Sequence, residues 1–130
     1  MAGPDDNIDR DFRRGVALCR AGEYFAAHEA FEAAWRRCGA AERDFFQGLV
    51  HAVVFAYQSG RGRTIGAERQ REKALARLGG YGPAHRGLDL EALLAALRAR
   101  ETDLREHLIE RDPQPPVAVE EEQQTEQDER

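Results

Sequence analysis

Apolar residues return every three or four positions from Ile8 to Leu108, alternating β-branched runs are missing, and no proline falls between Asp5 and Gly82. A 3.6-residue period of that kind predicts helix through the whole body of the chain. Helices are expected at about residues 8–21, 24–38, 42–59, 64–79 and 89–111. Glycines stand where such helices stop, at Gly22, Gly39, Gly60 with Gly62, and Gly79 with Gly80. Asp89 is placed to cap the last helix, whose Leu90, Leu93, Leu94, Leu97, Leu104 and Leu108 form the expected buried stripe. Tyr81 to Gly87 reads as a loop. The expected fold is all-α, a compact bundle of about five helices in antiparallel hairpins.

An internal echo sharpens the hairpin reading. Gly22, Tyr24, Ala27, Phe31 and Ala34 fall at offsets 0, 2, 5, 9 and 12, the spacing of a tetratricopeptide second half, where small residues let paired helices approach. Forty residues on, Gly62, Thr64, Ala67, Arg71 and Ala74 repeat the spacing and keep three of the five residue types. Two such units fall short of the roughly three a solenoid needs to bury a continuous core. The bundle is thus weakly tetratricopeptide-like, and one functional expectation is a protein-interaction scaffold with its groove between the second and fourth helices.

The second helix carries the densest chemistry, His28-Glu29-Ala30-Phe31-Glu32-Ala33-Ala34-Trp35, an HExxExxW motif. A zinc protease helix needs a second histidine one turn after the first; Glu32 holds that place. On a helical wheel His28 and Glu32 fall inside the face made by Tyr24, Phe25, Ala27, Phe31, Ala34, Trp35 and Cys38, with Glu29 at its border. Burying an ionisable pair among aromatics costs several kcal/mol unless it is partnered. The third helix offers partners: Phe45 to Gly60 contains no Asp, Glu, Lys or Arg, yet Gln47, His51 and Gln58 share a narrow stripe. Burial of that stripe against His28 and Glu32 is the expectation.

Three functions fit such a set. It can be a hydrogen-bonded network that fixes helix register. It can be a pocket for a small polar ligand, lined by His28, Glu29, Glu32, Trp35, Gln47, His51 and Gln58. Or His28, Glu32 and His51 can hold a divalent metal, with Glu29 as general base of a hydrolase. No carboxylate-plus-histidine pair recurs on another helix as a di-iron bundle requires. No serine or cysteine beside a histidine suggests nucleophilic catalysis.

Charge adds two features. The chain of 130 residues has a formal net charge of -5, but seven acidic residues and one basic one lie from Asp112 onward. The body, residues 1–111, has eighteen basic and seventeen acidic residues, a balance of +1. The chain divides into a flexible N-terminus (1–7), one helical domain (8–111) and a disordered acidic Pro/Glu/Gln-rich tail (112–130), since polar termini cannot offset the entropy of ordering. Ser59 to Gly66 is glycine-rich with arginines but lacks the Gly-Lys-Ser/Thr ending of a phosphate loop. Arg61, Arg63, Arg69, Arg71, Lys73 and Arg77 against Glu68 and Glu72 make the most basic stretch, +4. Without interleaved aromatics it reads as a solvated helix before a nucleic-acid contact.

Two cysteines, Cys19 and Cys38, would sit ~18 Å apart in the first hairpin at 1.5 Å rise per residue, too far to bridge. His85 and His107 are expected alone at the surface. No apolar run approaches a membrane span, so the chain is expected to be soluble and cytoplasmic, with a small ligand, a protein partner or a second copy as its partner.

Gly22-x-Tyr24-x-x-Ala27-His28-Glu29-x-x-Glu32-x-x-Trp35, then Gln47-Gly48-Leu49-Val50, then Gly62-x-x-x-Gly66-Ala67 resemble a small prokaryotic helical family, domain of unknown function number 309. The resemblance covers about residues 10–80 and implies an all-helical fold with a shared polar site and no particular reaction. It also marks departures, since that family typically shows Gln where His51 stands, His near Gln58 and Asn where Arg63 stands.

Overall fold

The computed structural model describes residues 4–111; the expectations for Met1 to Gly3 and for the tail from Asp112 lie outside them. Its elements are α1 (Pro4–Arg20), α2 (Tyr24–Arg37), α3 (Ala40–Gly60), α4 (Thr64–Leu78), β1 (Ala84–His85), β2 (Leu88–Asp89) and α5 (Leu90–Arg98). The all-α expectation holds, with one small hairpin of strands added. α1 starts four residues before the apolar pattern does, because proline suits the first helical position, while Ile8, Phe12, Val16 and Cys19 supply its buried face.

The offset-40 echo is structural. Gly22 and Gly62 both take positive φ, +80° and +73°. After α1, the Gly22 and Glu23 amides donate to Cys19 and Leu18 at 3.0 and 2.9 Å; after α3, the Gly62 and Arg63 amides donate to Ser59 and Gln58 at 3.1 and 3.0 Å. Each is a Schellman stop with glycine in the left-handed position, which turns the chain into an antiparallel partner helix. In the first hairpin the helices meet tightly: a Cβ on Gly15 would lie 2.5 Å from the Phe31 ring. Forty residues on, Phe55 and Arg71 stand at these places, both buried.

α1, α2, α3 and α4 pack in sequence, so α3 lies between α2 and α4. The core is Phe12, Phe31, Phe45, Phe46, Leu49, Val53 and Leu78 from this array, closed by Leu88, Leu90, Leu93, Leu97, Leu104 and Leu108. β1 and β2 pair antiparallel through a turn with Arg86 and Gly87 at positive φ, +51° and +78°, the signs that a type I′ hairpin requires. Asp89 caps α5 as expected, its side chain accepting from the Ala92 amide at 3.0 Å.

The last helix is shorter than its leucine pattern indicated: α5 ends at Arg98 and residues 101–111 are irregular. Arg100 takes φ +58°, with the Arg100 and Glu101 amides donating to Leu97 and Ala96 at 3.1 and 2.9 Å. This is a third Schellman stop, here without glycine. Glu68 holds Arg100 by two bonds of 3.3 Å, a tertiary tie that offsets the roughly 1 kcal/mol cost of a left-handed non-glycine residue. Leu104 and Leu108 are buried from the irregular segment, and Glu110 pairs with Leu88 as a further strand-like edge.

Candidate functional site

α2 and α4 meet α3 along two different seams. On the α2 side the Arg43 guanidinium lies over the Trp35 ring, 4.6 Å from its centroid, and Phe25 packs on both His28 and Tyr57 with ring centroids 5.4 and 5.5 Å apart. On the α4 side His51 Nδ1 meets Gln70 Oε1 at 2.7 Å, Asp44 pairs with Arg77 at 2.7 Å, and Gln58 lies where a Cβ on Gly66 would clash at 2.8 Å. Between the seams a row of α3 residues at alternating four- and three-residue steps, Gln47, Val50, Val54 and Tyr57, stays half exposed. A helix in the middle of a layer has such a row because two neighbours and the core cover only three of its sides.

The residues singled out from the sequence therefore do not converge on one buried pocket. His28 and Trp35 sit at the α2 seam, His51 and Gln58 at the α4 seam, Gln47 between them, Glu29 exposed and Glu32 half exposed on α2. The expected burial of the His51 stripe against His28 and Glu32 is overturned: the wheel was right about the stripe, but its partner is α4, where Gln70 supplies the hydrogen bond. Among the described residues no three His, Cys, Asp or Glu side chains come together in a way that could hold a metal, so His28, Glu32 and His51 form no triad.

Each seam has its own electrostatics. His28 Nε2 lies 3.7 Å from Glu32, whose other oxygen accepts from Arg36 at 3.1 Å. His28 Nδ1 and Trp35 Nε1 are buried without a hydrogen-bond partner among the described residues, two turns apart on α2. His51 titrates below its ordinary value, because burial disfavours the cation and Lys73 and Arg77 repel it, against the smaller opposing pull of Gln70. Neutral at pH 7, its Nδ1–H donates to the Gln70 oxygen.

Two further clusters were not expected. His85 is not a lone surface residue: with Arg86 it binds the Glu42 carboxylate, at 2.8 and 2.6 Å, and its ring packs on Phe45 and Tyr81. Despite burial, these two bonds hold Glu42 below its ordinary value, and they pin the β-hairpin to the first turn of α3. Arg71, placed by sequence in a basic patch, is instead the buried charge of the core at 7% exposure. It donates twice to Glu68, at 2.9 and 2.6 Å, and to the Leu97 carbonyl at 3.1 Å. The Glu68 pKa falls to about 2 through its bonds to Arg71 and Arg100. With Arg77 also paired, the exposed basic side chains of that region are Arg61, Arg63, Arg69 and Lys73, none in an ion pair among the described residues.

Residues 12–70 match the family model of a domain of unknown function, DUF309. The DUF309 match runs from Phe12 in α1 to Gln70 in α4, so it takes in the α2 seam and the part of the α4 seam up to the partner of His51, and ends before Arg77. No curated protein and no solved structure matches the chain. No helix among the described residues is long and apolar enough to cross a membrane.

Proposed function

We propose that this chain is a non-catalytic interaction module that docks a protein partner on the outer face of α2, α3 and α4. The observation that carries the reading is the pair Phe25 and Ile65, 53% and 72% exposed. They stand at equivalent places forty residues apart, each one residue inside the start of its helix, and Phe25 packs on Tyr57 at the end of the half-buried α3 row. Large apolar side chains held out at matching positions are costly to leave in water, and aromatic anchors of this kind carry most of the energy of protein interfaces.

The partner's chemistry follows from the rim. Arg69 and Lys73 border the row on the α4 side, and Arg61 lies over Tyr57 at 5.4 Å, so a partner segment with an apolar anchor and acidic flanks fits. A small-ligand pocket has less support: of three clefts of about 380 to 520 Å³, none is lined by His28, Glu32 or His51. The tetratricopeptide-like scaffold expectation and the interaction module place the partner on the same face, between α2 and α4.

A photoreactive phenylalanine placed at position 25 or 65 of the chain in its native cell tests this. Discrete protein adducts are expected from both positions and none from Arg98, an exposed α5 residue; Arg69→Glu with Lys73→Glu should weaken them several-fold. Equal labelling from all three positions, or none from any, refutes the proposal.

A further inference from the structure

A cleft of about 380 Å³ lies between α1 and the end of the described chain, and it shares no residue with the α2–α4 face. Phe12, Val16, Ala17 and Leu88 give it apolar walls, while Arg13, Arg20, Arg86 and Arg111 surround them against a single lining acid, Glu110. Three of these arginines are already engaged: Arg13 by Asp9, Arg86 by Glu42, and Arg111 by Asp89 and Glu91. Arg20 is different. Its Nε donates to the Leu108 carbonyl at 2.9 Å, and no carboxylate meets its remaining N–H groups in any ion pair among the described residues.

The wall facing α1 is a strand edge. The Asp89 amide donates to Ile109, and the Arg111 amide to Gly87, so Glu110's own N–H and C=O turn to the opposite edge, the one that Arg20 meets at Leu108. An edge with a row of backbone groups on offer is a template for another strand.

We propose that this cleft is a binding site for an acidic segment led by small apolar residues, and that residues 117–122 of this chain occupy it. The described chain reaches the cleft at Arg111 and goes on as Asp112-Pro-Gln-Pro-Pro116, then Val117-Ala-Val-Glu-Glu-Glu122. Five residues are a common length for a hairpin connection, and all three prolines of the segment fall inside it, leaving the returning stretch free of proline. With Val117 opposite Arg111, Glu120 comes opposite Leu108, beside the arginine that lacks a carboxylate. Val117 and Val119, on one face of the added strand, then lie along the apolar wall, and Glu121 and Glu122 continue past Arg20, away from Arg13.

The test uses the full chain, isotopically labelled, with Cys38→Ser and a nitroxide on Gln123→Cys; Cys19 is buried and stays unlabelled. Amide signals of Val16, Ala17, Arg20 and Ile109 to Arg111 should lose at least half their intensity, and those of Arg69 and Lys73 should not. Salt near 1 M, where screening acts within roughly 3 Å, should restore most of the loss. Glu120→Gln, which cannot unfold the helical body, should do the same, as should Arg20→Gln. No loss, loss centred on Arg69 and Lys73, or equal loss when the nitroxide is carried by a second unlabelled copy would overturn the assignment.

Discussion

Gly15→Ala probes the closest helix contact in the molecule. A Cβ there would stand 2.5, 2.6 and 2.8 Å from Cε1, Cδ1 and Cζ of Phe31, about 1 Å inside ordinary carbon contact. The ring has nowhere to go: Phe31 is fully buried, with Phe12 at 6.4 Å between centroids, and Phe12 is itself packed on Phe45 and Phe46 at 5.8 and 6.2 Å. Overpacking of a rigid core costs about 1–3 kcal/mol; against it stands about 1 kcal/mol gained by replacing glycine with alanine inside a helix. With three ring atoms inside 3 Å the upper half of the cost applies, leaving a net loss of about 1–2 kcal/mol. In a domain of this size that lowers Tm by roughly 4–10 °C. Thermal and urea unfolding followed by circular dichroism measure it, with Gly60→Ala as control: Gly60 is helical and a Cβ on it meets nothing within 4 Å, so that variant should gain stability. Phe31→Leu in the Gly15→Ala background should recover part of the loss, a coupling of about 1 kcal/mol. If Gly15→Ala stabilises as Gly60→Ala does, α1 and α2 do not approach as described.

Three other outcomes follow from the same geometry. His51 has a folded pKa below its unfolded one, so the unfolded chain binds the proton first; its contribution is present above about pH 6.5 and is lost as pH falls through the folded value, and His51→Gln should flatten the dependence of Tm on pH between 5 and 7. Arg71→Met removes the donor to the Leu97 carbonyl and one of two arginines on Glu68, with a loss of about 1–3 kcal/mol by urea unfolding. It should also bring the Glu68 titration, read by carbon-detected NMR, up toward the ordinary carboxylate range while Arg100 remains. Asp89→Ala deletes the α5 cap and a contact to Arg111, costing about 1 kcal/mol; a neutral result would mean that the hairpin alone sets the start of α5.

The helices were legible because each face is buried against another element and so keeps its apolar period, and the stops at Gly22 and Gly62 because only glycine takes that conformation cheaply. The stop at Arg100 left no such mark: an arginine fills the left-handed position because Glu68, thirty-two residues earlier, holds it. Leu104 and Leu108 kept a helical spacing by coincidence, being buried from an irregular segment that must follow the core surface. The polar residues on α2 and α3 were found by their placement among apolar neighbours, but a wheel ranks faces within one helix and says nothing of which neighbour each face meets. That is why His51 was assigned to α2 when Gln70 on α4 is its partner. Arg71 carried one signal that could have been used, since it stands forty residues after Phe31 at a core position of the echo. His85 carried none, as its attachment to Glu42 spans forty-three residues.

The open face of α2, α3 and α4 can be tested without knowing the partner, by hydroxyl-radical footprinting of the same chain in purified form and in its native cell. In the purified protein Phe25, Tyr57 and Ile65 should react readily, and in the cell all three should be protected several-fold while exposed residues of α5 are unchanged. Protection of Phe25 and Ile65 in the purified protein, or full reactivity in the cell, would contradict the account.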